Sequence, residues 1–125
     1  MLSQMSKMVD SAIRKFREMR HLAASRDILA TPPIAPREDG VILFSMIGTR
    51  VLLPYLVAAK SLHSRLGMGK FLILDDGSLT GGDKAALRQP LGTPAIIHID
   101  DVDTGDCPRG GTWERLLTLL DLRRE

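Results

Sequence analysis

Aromatic residues are scarce in this chain: Phe, Tyr and Trp together make up 4% of its 125 residues. Proteins that bind single-stranded nucleic acid without sequence preference stack the bases on aromatic side chains, so no nucleic-acid partner is expected. The core is predicted to be aliphatic, because 44% of the residues are nevertheless hydrophobic. With 26% charged residues, the composition is typical of a folded globular domain.

The chain also has only one cysteine, Cys107, and it lacks long apolar runs. A single cysteine excludes an internal disulfide and a Cys-x-x-Cys metal knuckle, which is typical of a protein from a reducing compartment. The longest apolar run, residues 51–59, is interrupted by Pro54 and is far shorter than the ~20 residues of a membrane-spanning helix. The N-terminal region lacks the unbroken apolar core of a signal peptide. We therefore expect a cytoplasmic protein.

Residues 1–30 are predicted to form a basic amphipathic helix. They carry six Lys/Arg against three Asp/Glu, so the excess of positive charge belongs to this segment rather than to the remainder of the chain. Its apolar side chains recur every three or four residues, at Leu2, Met5, Val9, Ile13, Phe16 and Met19. Two interpretations stay open: residues 1–29 contact an anionic membrane surface, or the helix packs on its own domain or on a partner. Residues 31–40 follow as an extended linker, because three prolines prevent a helix there.

From residue 41 onward, apolar runs typical of buried strands alternate with helical patterns. The strands are predicted at 41–44, 71–74 and 95–99, and the helices at 49–66, 81–89 and 113–122. Thr49 is expected to cap the first of these helices and Gly67 to end it, while Thr80 and Asp83 suit a capping box for the second.

This alternation predicts an α/β, Rossmann-like unit over residues 41–125, with a three-stranded parallel sheet in the order 3-2-1. The first strand would leave a bare edge, through which the chain could self-associate.

Ligands of open parallel sheets bind beyond the carboxyl ends of the strands, which selects the loops 45–50, 75–80 and 100–111. The second loop contains Asp75-Asp76-Gly77-Ser78. A carboxylate there can accept hydrogen bonds from a nucleobase N–H or from ribose hydroxyls, and a glycine permits a tight turn. The same side chains would serve equally well to satisfy the N–H groups of an Asp-Gly turn. Position alone leaves both interpretations open.

The run Val41–Met46, a helix, and then Phe71-Leu-Ile-Leu-Asp-Asp-Gly-Ser-Leu-Thr80 resembles the opening of GT-A-type glycosyltransferases. Those enzymes use nucleotide-sugar donors, so the resemblance implies a UDP- or GDP-linked sugar as the ligand. It implies that Asp75 and Asp76 belong to the nucleotide site, with Asp76 on the base. It also implies that Ser45, at the end of the first strand, lines the nucleoside pocket, and that Arg109 lies near the diphosphate.

For the complete family fold, the resemblance implies a divalent metal, Mg²⁺ or Mn²⁺, bound by an Asp-x-Asp motif after a fourth strand. This chain does not reach that strand, so we expect it to be the nucleotide-binding half of the fold and inactive alone. Asp101 and Asp103 have the spacing of the motif but come one strand too early. Together with their acidic neighbours they form either a weak site for a hard cation or a solvated acidic loop.

Two other functions stay open. A haloacid-dehalogenase-like phosphatase has an Asp-x-Asp-Gly-Thr motif after its first strand, but here Leu74 stands at the position of the nucleophilic Asp, so an aspartyl-phosphate cannot form there. A small non-catalytic α/β binding or interaction module would use the same acidic turn as a pocket.

Overall fold

The computed structural model describes residues 1–110 and 112–122 of the chain. After the N-terminal helix, three strands and three α-helices alternate, with short 3-10 turns at 26–30, 49–51 and 99–101. The main elements are α1 (Leu2–Ser25), β1 (Ile42–Ile47), α2 (Leu52–Leu66), β2 (Lys70–Asp75), α3 (Gly81–Arg88), β3 (Ala95–His98) and α4 (Trp113–Leu122).

The three strands form one parallel sheet in the order β1-β2-β3. This confirms the predicted α/β class and the predicted strand order. The central strand β2 is buried along Phe71–Asp75, as expected for a strand with neighbours on both sides. Around it the core is aliphatic apart from Phe71, and its buried members are Ile47, Leu56, Ala59, Phe71, Ile73, Leu79, Leu87 and Leu91.

Two helix-end predictions are confirmed. Gly67 ends α2 in the left-handed conformation, with φ of 62°, and its N–H bonds to the His63 carbonyl at 2.8 Å. Thr80 and Asp83 form a reciprocal capping box at the start of α3. Both helix ends depend on local backbone geometry, which limits the residue types that can stand at these positions.

Other boundaries were predicted wrongly. β1 does not stop at residue 44 but continues to Ile47, so Ser45 lies inside the strand, paired in register with Ile73. Thr49 does not cap α2: it begins a 3-10 turn, and α2 starts at Leu52 with no side-chain cap. β3 ends at His98 rather than at residue 99, because the Asp100 N–H turns back to bond His98 Nδ1 at 3.1 Å.

The Pro-rich segment 31–40 is extended as predicted, and it lies along the surface of the domain. The Ile34 N–H bonds to the Pro90 carbonyl at 2.9 Å, and Ile34 itself packs against the core. Lys60 on α2 donates to the Pro32 carbonyl at 2.7 Å and to Thr31. The linker therefore connects α1 to the sheet by a fixed path.

The apolar side of α1 is exposed. Ser25, at its C-terminal end, is the only buried residue of this helix, and α1 contacts the domain through α2 and the 3-10 turn that follows it. The described part of the domain therefore leaves the apolar stripe of α1 uncovered. Within the described residues, no helix combines the length and apolar character required to cross a membrane.

Candidate functional site

The three strands end at the same level of the sheet. Ile47, Asp75 and His98 are register partners at the carboxyl ends of β1, β2 and β3. Parallel pairing therefore brings the three following loops to one edge, as the sequence predicted. This edge, formed by the loops after the three strands, is called the rim below.

The Asp75 side chain stabilises the turn that follows β2. It is fully buried, and its Oδ1 accepts hydrogen bonds from the N–H groups of Gly77 at 2.8 Å and Leu79 at 3.2 Å. Its Oδ2 has no hydrogen-bond partner in the part of the chain that is described, and its charge is balanced by Lys84 at 3.5 Å. Asp75 therefore serves to satisfy the backbone N–H groups of an Asp-Gly turn, which is one of the two interpretations that the sequence left open.

Asp76 has a different environment, because its side chain is exposed. The N–H of Ser78 donates to Asp76 Oδ1 at 2.8 Å, and the Ser78 hydroxyl donates to the same oxygen at 2.6 Å. These two bonds fix the orientation of the carboxylate. The other oxygen, Oδ2, accepts no hydrogen bond from any described residue and lies against Gly48. One oxygen is thus held and the other is free to accept a donor from a ligand.

The turn after β2 is bonded to the turn after β1. The Asp76 N–H donates to the Ile47 carbonyl at 3.0 Å, and the Thr49 N–H donates to the Ser78 hydroxyl at 2.9 Å. A Cβ atom at Gly48 would clash with Asp76 Oδ2 and Ser78 Oγ, so only glycine allows this close approach. Two loops far apart in sequence are held as one rigid surface.

An open cleft of about 520 Å³ lies at this junction. Asp76 and Ser78 form one side, and residues 46–51 form the other, including the exposed Arg50. The cleft thus has an acidic and a basic residue among those that line it. Arg50 was not singled out from the sequence, although its position two residues after Gly48, in one of the three rim loops, was a usable signal.

The capping box of α3 is coupled to the same junction. The Thr49 hydroxyl, together with the Thr80 N–H at 3.0 Å, lowers the pKa of Asp83 below its usual range. Thr49 therefore contacts both the β2–α3 turn and the first turn of α3. Its side chain and backbone stabilise the cleft wall rather than the start of α2.

Ser45 and Arg109 do not line this cleft. Ser45 lies on β1 beside Tyr55, and burial raises the pKa of the Tyr55 hydroxyl while the Ser45 hydroxyl opposes that shift. The Arg109 guanidinium donates to the carbonyls of Val102 at 2.8 Å, Ile99 at 3.2 Å and Asp100 at 3.4 Å. Arg109 thus closes the loop after β3. Of the predicted nucleotide residues, Asp76 alone lines the cleft.

No group of three or more His, Cys, Asp or Glu side chains is placed to hold a metal ion within residues 1–110 and 112–122. Asp103 Oδ1 accepts the Gly105 N–H at 2.9 Å, which is a turn bond, and Asp101 is exposed. Leu74, at the nucleophile position of a phosphatase motif, is fully buried in β2.

No protein-family model, curated protein or solved structure matches the chain. A function must therefore be inferred from the chemistry of the rim. The chemistry available there is a fixed carboxylate with one free oxygen, a neighbouring cationic side chain and a cleft open to solvent.

Proposed function

We propose that the rim binds the nucleoside diphosphate part of a nucleotide sugar, and that the chain serves glycosyl transfer. The observation that carries the proposal is the divided role of Asp76: Oδ1 is fixed by Ser78, and Oδ2 stays free at the cleft. The position agrees with the rule for ligands of parallel sheets. The resemblance of Asp75–Thr80 to the nucleotide-binding turn of GT-A enzymes adds the sugar-nucleotide specificity.

The free carboxylate oxygen favours particular bases. An ionised carboxylate is only an acceptor, so it matches the ring N–H of uracil or guanine. Cytosine and adenine present a ring-nitrogen acceptor at the corresponding edge, which a carboxylate repels. UDP and GDP are therefore the preferred ligands, ahead of CDP and ADP.

The diphosphate is assigned to the β1–α2 side of the cleft. Arg50 is the basic residue lining it, and guanidinium groups bind phosphate oxygens in a bidentate manner. The start of α2 follows at Leu52, so the positive end of that helix adds to the attraction. In this arrangement Arg50 takes the place that the resemblance gave to Arg109.

Calorimetric titration of the purified chain with UDP, GDP, CDP and ADP tests the base preference. Replacing a hydrogen bond to a charged group costs about 1.5–3 kcal/mol, so Asp76→Asn should weaken UDP or GDP binding by about tenfold to a hundredfold. Asp106→Asn removes the same charge from an exposed position in the β3–α4 loop and should leave the affinity unchanged. Equal effects of the two variants, or no binding of any nucleotide, would contradict the proposal.

The sugar-nucleotide part needs a separate measurement. UDP- or GDP-linked sugars should compete with the free diphosphate for the cleft. If the diphosphates bind and none of their sugar conjugates competes, the rim is a nucleotide site but glycosyl transfer is not its function.

A further inference from the structure

Helix α1 presents an apolar surface that the described part of the domain does not cover. Its side chains are among the most exposed large hydrophobic residues in the chain: Met5, Met8, Val9, Phe16 and Met19 are each more than half exposed. Contiguous exposed apolar surface on this scale marks an interaction site. This side of α1 therefore has the character of an interaction surface.

The arrangement of charge around α1 indicates the chemistry of a partner. Viewed down the helix axis at 3.6 residues per turn, the apolar side chains occupy a sector of roughly 140°. Met8 marks one border of this sector and Ile13 the other, and no acidic side chain lies between these two directions. Lys15 lies just outside the Met8 border. At the Ile13 border, Arg17 lies just outside the sector and Arg20 lies just inside it. The two acids of the helix lie farther out: Asp10 is about 60° beyond the Ile13 border, next to Arg17, and Glu18 is about 80° beyond the Met8 border. The charged residues nearest to the sector are thus cations.

This pattern matches an anionic lipid surface. Lys and Arg at the borders keep their aliphatic stems along the apolar sector while their charged ends reach the headgroups. The positive charge of the segment attracts anionic lipids over the Debye length. No described helix is apolar enough to cross the bilayer, so α1 would lie in the interfacial plane.

A second copy of α1 fits the pattern less well. A coiled-coil seam is a narrow stripe of two positions per heptad, whereas the sector here also includes Met8 and Ile13. In a parallel pair with Leu2, Val9 and Phe16 in the seam, Lys15 would face Arg20 of the other copy, and like charges at these flanking positions repel.

We propose that α1 binds the surface of an anionic bilayer through this apolar sector, with Lys15, Arg17 and Arg20 at the headgroups. This inference is independent of the nucleotide site. It converts the exposed helix into a membrane anchor that is reversible and sensitive to salt.

Co-sedimentation of the full chain with lipid vesicles tests the proposal. Vesicles of phosphatidylcholine mixed with phosphatidylglycerol should bind the chain at least about tenfold more tightly than pure phosphatidylcholine, and added salt should weaken the binding. The variant Phe16→Gln/Met19→Gln should lose most of the binding to anionic vesicles.

Two matched charge variants distinguish the lipid face from general basicity. Lys15→Gln/Arg17→Gln should weaken anionic vesicle binding about tenfold or more. Lys7→Gln/Arg14→Gln removes the same charge from the opposite side of α1 and should have a much smaller effect. All four positions are exposed, and circular dichroism verifies that each variant keeps its helix content.

The proposal is overturned if anionic and neutral vesicles bind alike, or if the two charge variants are equally impaired. It is also overturned if the chain forms a concentration-dependent dimer that Phe16→Gln/Met19→Gln abolishes, with no binding to vesicles. In that case a second copy of the helix covers the apolar sector.

Discussion

The Thr49 N–H donates to the Ser78 hydroxyl at 2.9 Å, across 29 positions of sequence. Ser78 in turn donates to Asp76 Oδ1 at 2.6 Å. The turn after β1 therefore positions the carboxylate at the end of β2 through one intermediate hydroxyl. Both bonds join residues of the two loops that line the cleft.

Removal of that hydroxyl should weaken ligand binding more than it weakens the fold. Ser78→Ala leaves the Ser78 N–H on Asp76 but frees the Thr49 N–H, and an exposed hydrogen bond contributes only about 0.5–1.5 kcal/mol to stability. We expect a small decrease in the free energy of unfolding, measured by urea denaturation, and a larger fractional loss of UDP or GDP affinity. A variant that binds nucleotide as tightly as the parent would show that Asp76 needs no such positioning.

A Cβ atom at position 48 should disrupt the junction directly. Gly48→Ala places that atom against Asp76 Oδ2 and Ser78 Oγ, and such overpacking costs about 1–3 kcal/mol. Thermal unfolding should shift to lower temperature, and nucleotide binding should be lost. Gly81→Ala is the control, because a Cβ there meets nothing within 4 Å and alanine favours the first turn of α3.

The charge of Arg50 should matter for the diphosphate alone. Arg50→Gln should weaken UDP or GDP binding about tenfold, in line with the loss of a charge-assisted phosphate contact, and should leave the affinity for the nucleoside unchanged. Arg65→Gln, which removes an exposed arginine from the other end of α2, should affect neither. Equal losses for nucleoside and diphosphate would place Arg50 at the base instead.

Acid should remove the contribution of Asp83. Since the Thr49 hydroxyl and the Thr80 N–H lower the pKa of Asp83 in the folded state, the ionised carboxylate stabilises the fold above roughly pH 4, the usual range for an unfolded Asp. This stabilisation is lost as the pH falls through the lower folded-state pKa.

In melting curves over this pH range, the difference between the parent chain and Asp83→Asn should therefore narrow with decreasing pH. Asp106→Asn, which removes a carboxylate from an exposed loop position, is measured alongside it as the comparison variant. A constant difference for Asp83→Asn would mean that the carboxylate charge contributes nothing to the cap.

The free edge of β1 should support self-association at high concentration. The carbonyls of Val41 and Ile47 accept bonds from the β2 side. The backbone groups of residues 42, 44 and 46 therefore point to the open edge of the sheet and are available for pairing. Ile42→Lys should suppress association in sedimentation velocity, because lysine on an edge strand opposes pairing. Leu66→Lys adds the same charge on α2 and should not suppress it.

The sheet and the capping box could be predicted because their signals are local. Each strand consists mainly of apolar residues, and Thr80 and Asp83 have the spacing that a helix start requires. Ser45 was placed at a strand end because a polar residue interrupts the apolar run. Pairing with Ile73 keeps that residue inside β1, which is a long-range contact without a local signature.

The cleft itself was beyond local prediction. Its shape results from a 3-10 turn at Thr49–Val51 and from the close approach of Gly48 to Asp76. Amphipathic periodicity likewise predicted that α1 has an apolar side, but periodicity carries no information about what covers that side. The burial of Ser25 shows that the C-terminal end of the helix meets the domain.

Lys60 has a consequence for any surface that α1 occupies. By bonding Thr31 and the Pro32 carbonyl, it joins the segment after the N-terminal helix to the middle of α2, the helix whose start borders the cleft. A rotation of α1 relative to the sheet would require the bonds of Lys60 to break. Binding of α1 to a surface would accordingly restrict how the cleft can be oriented relative to that surface.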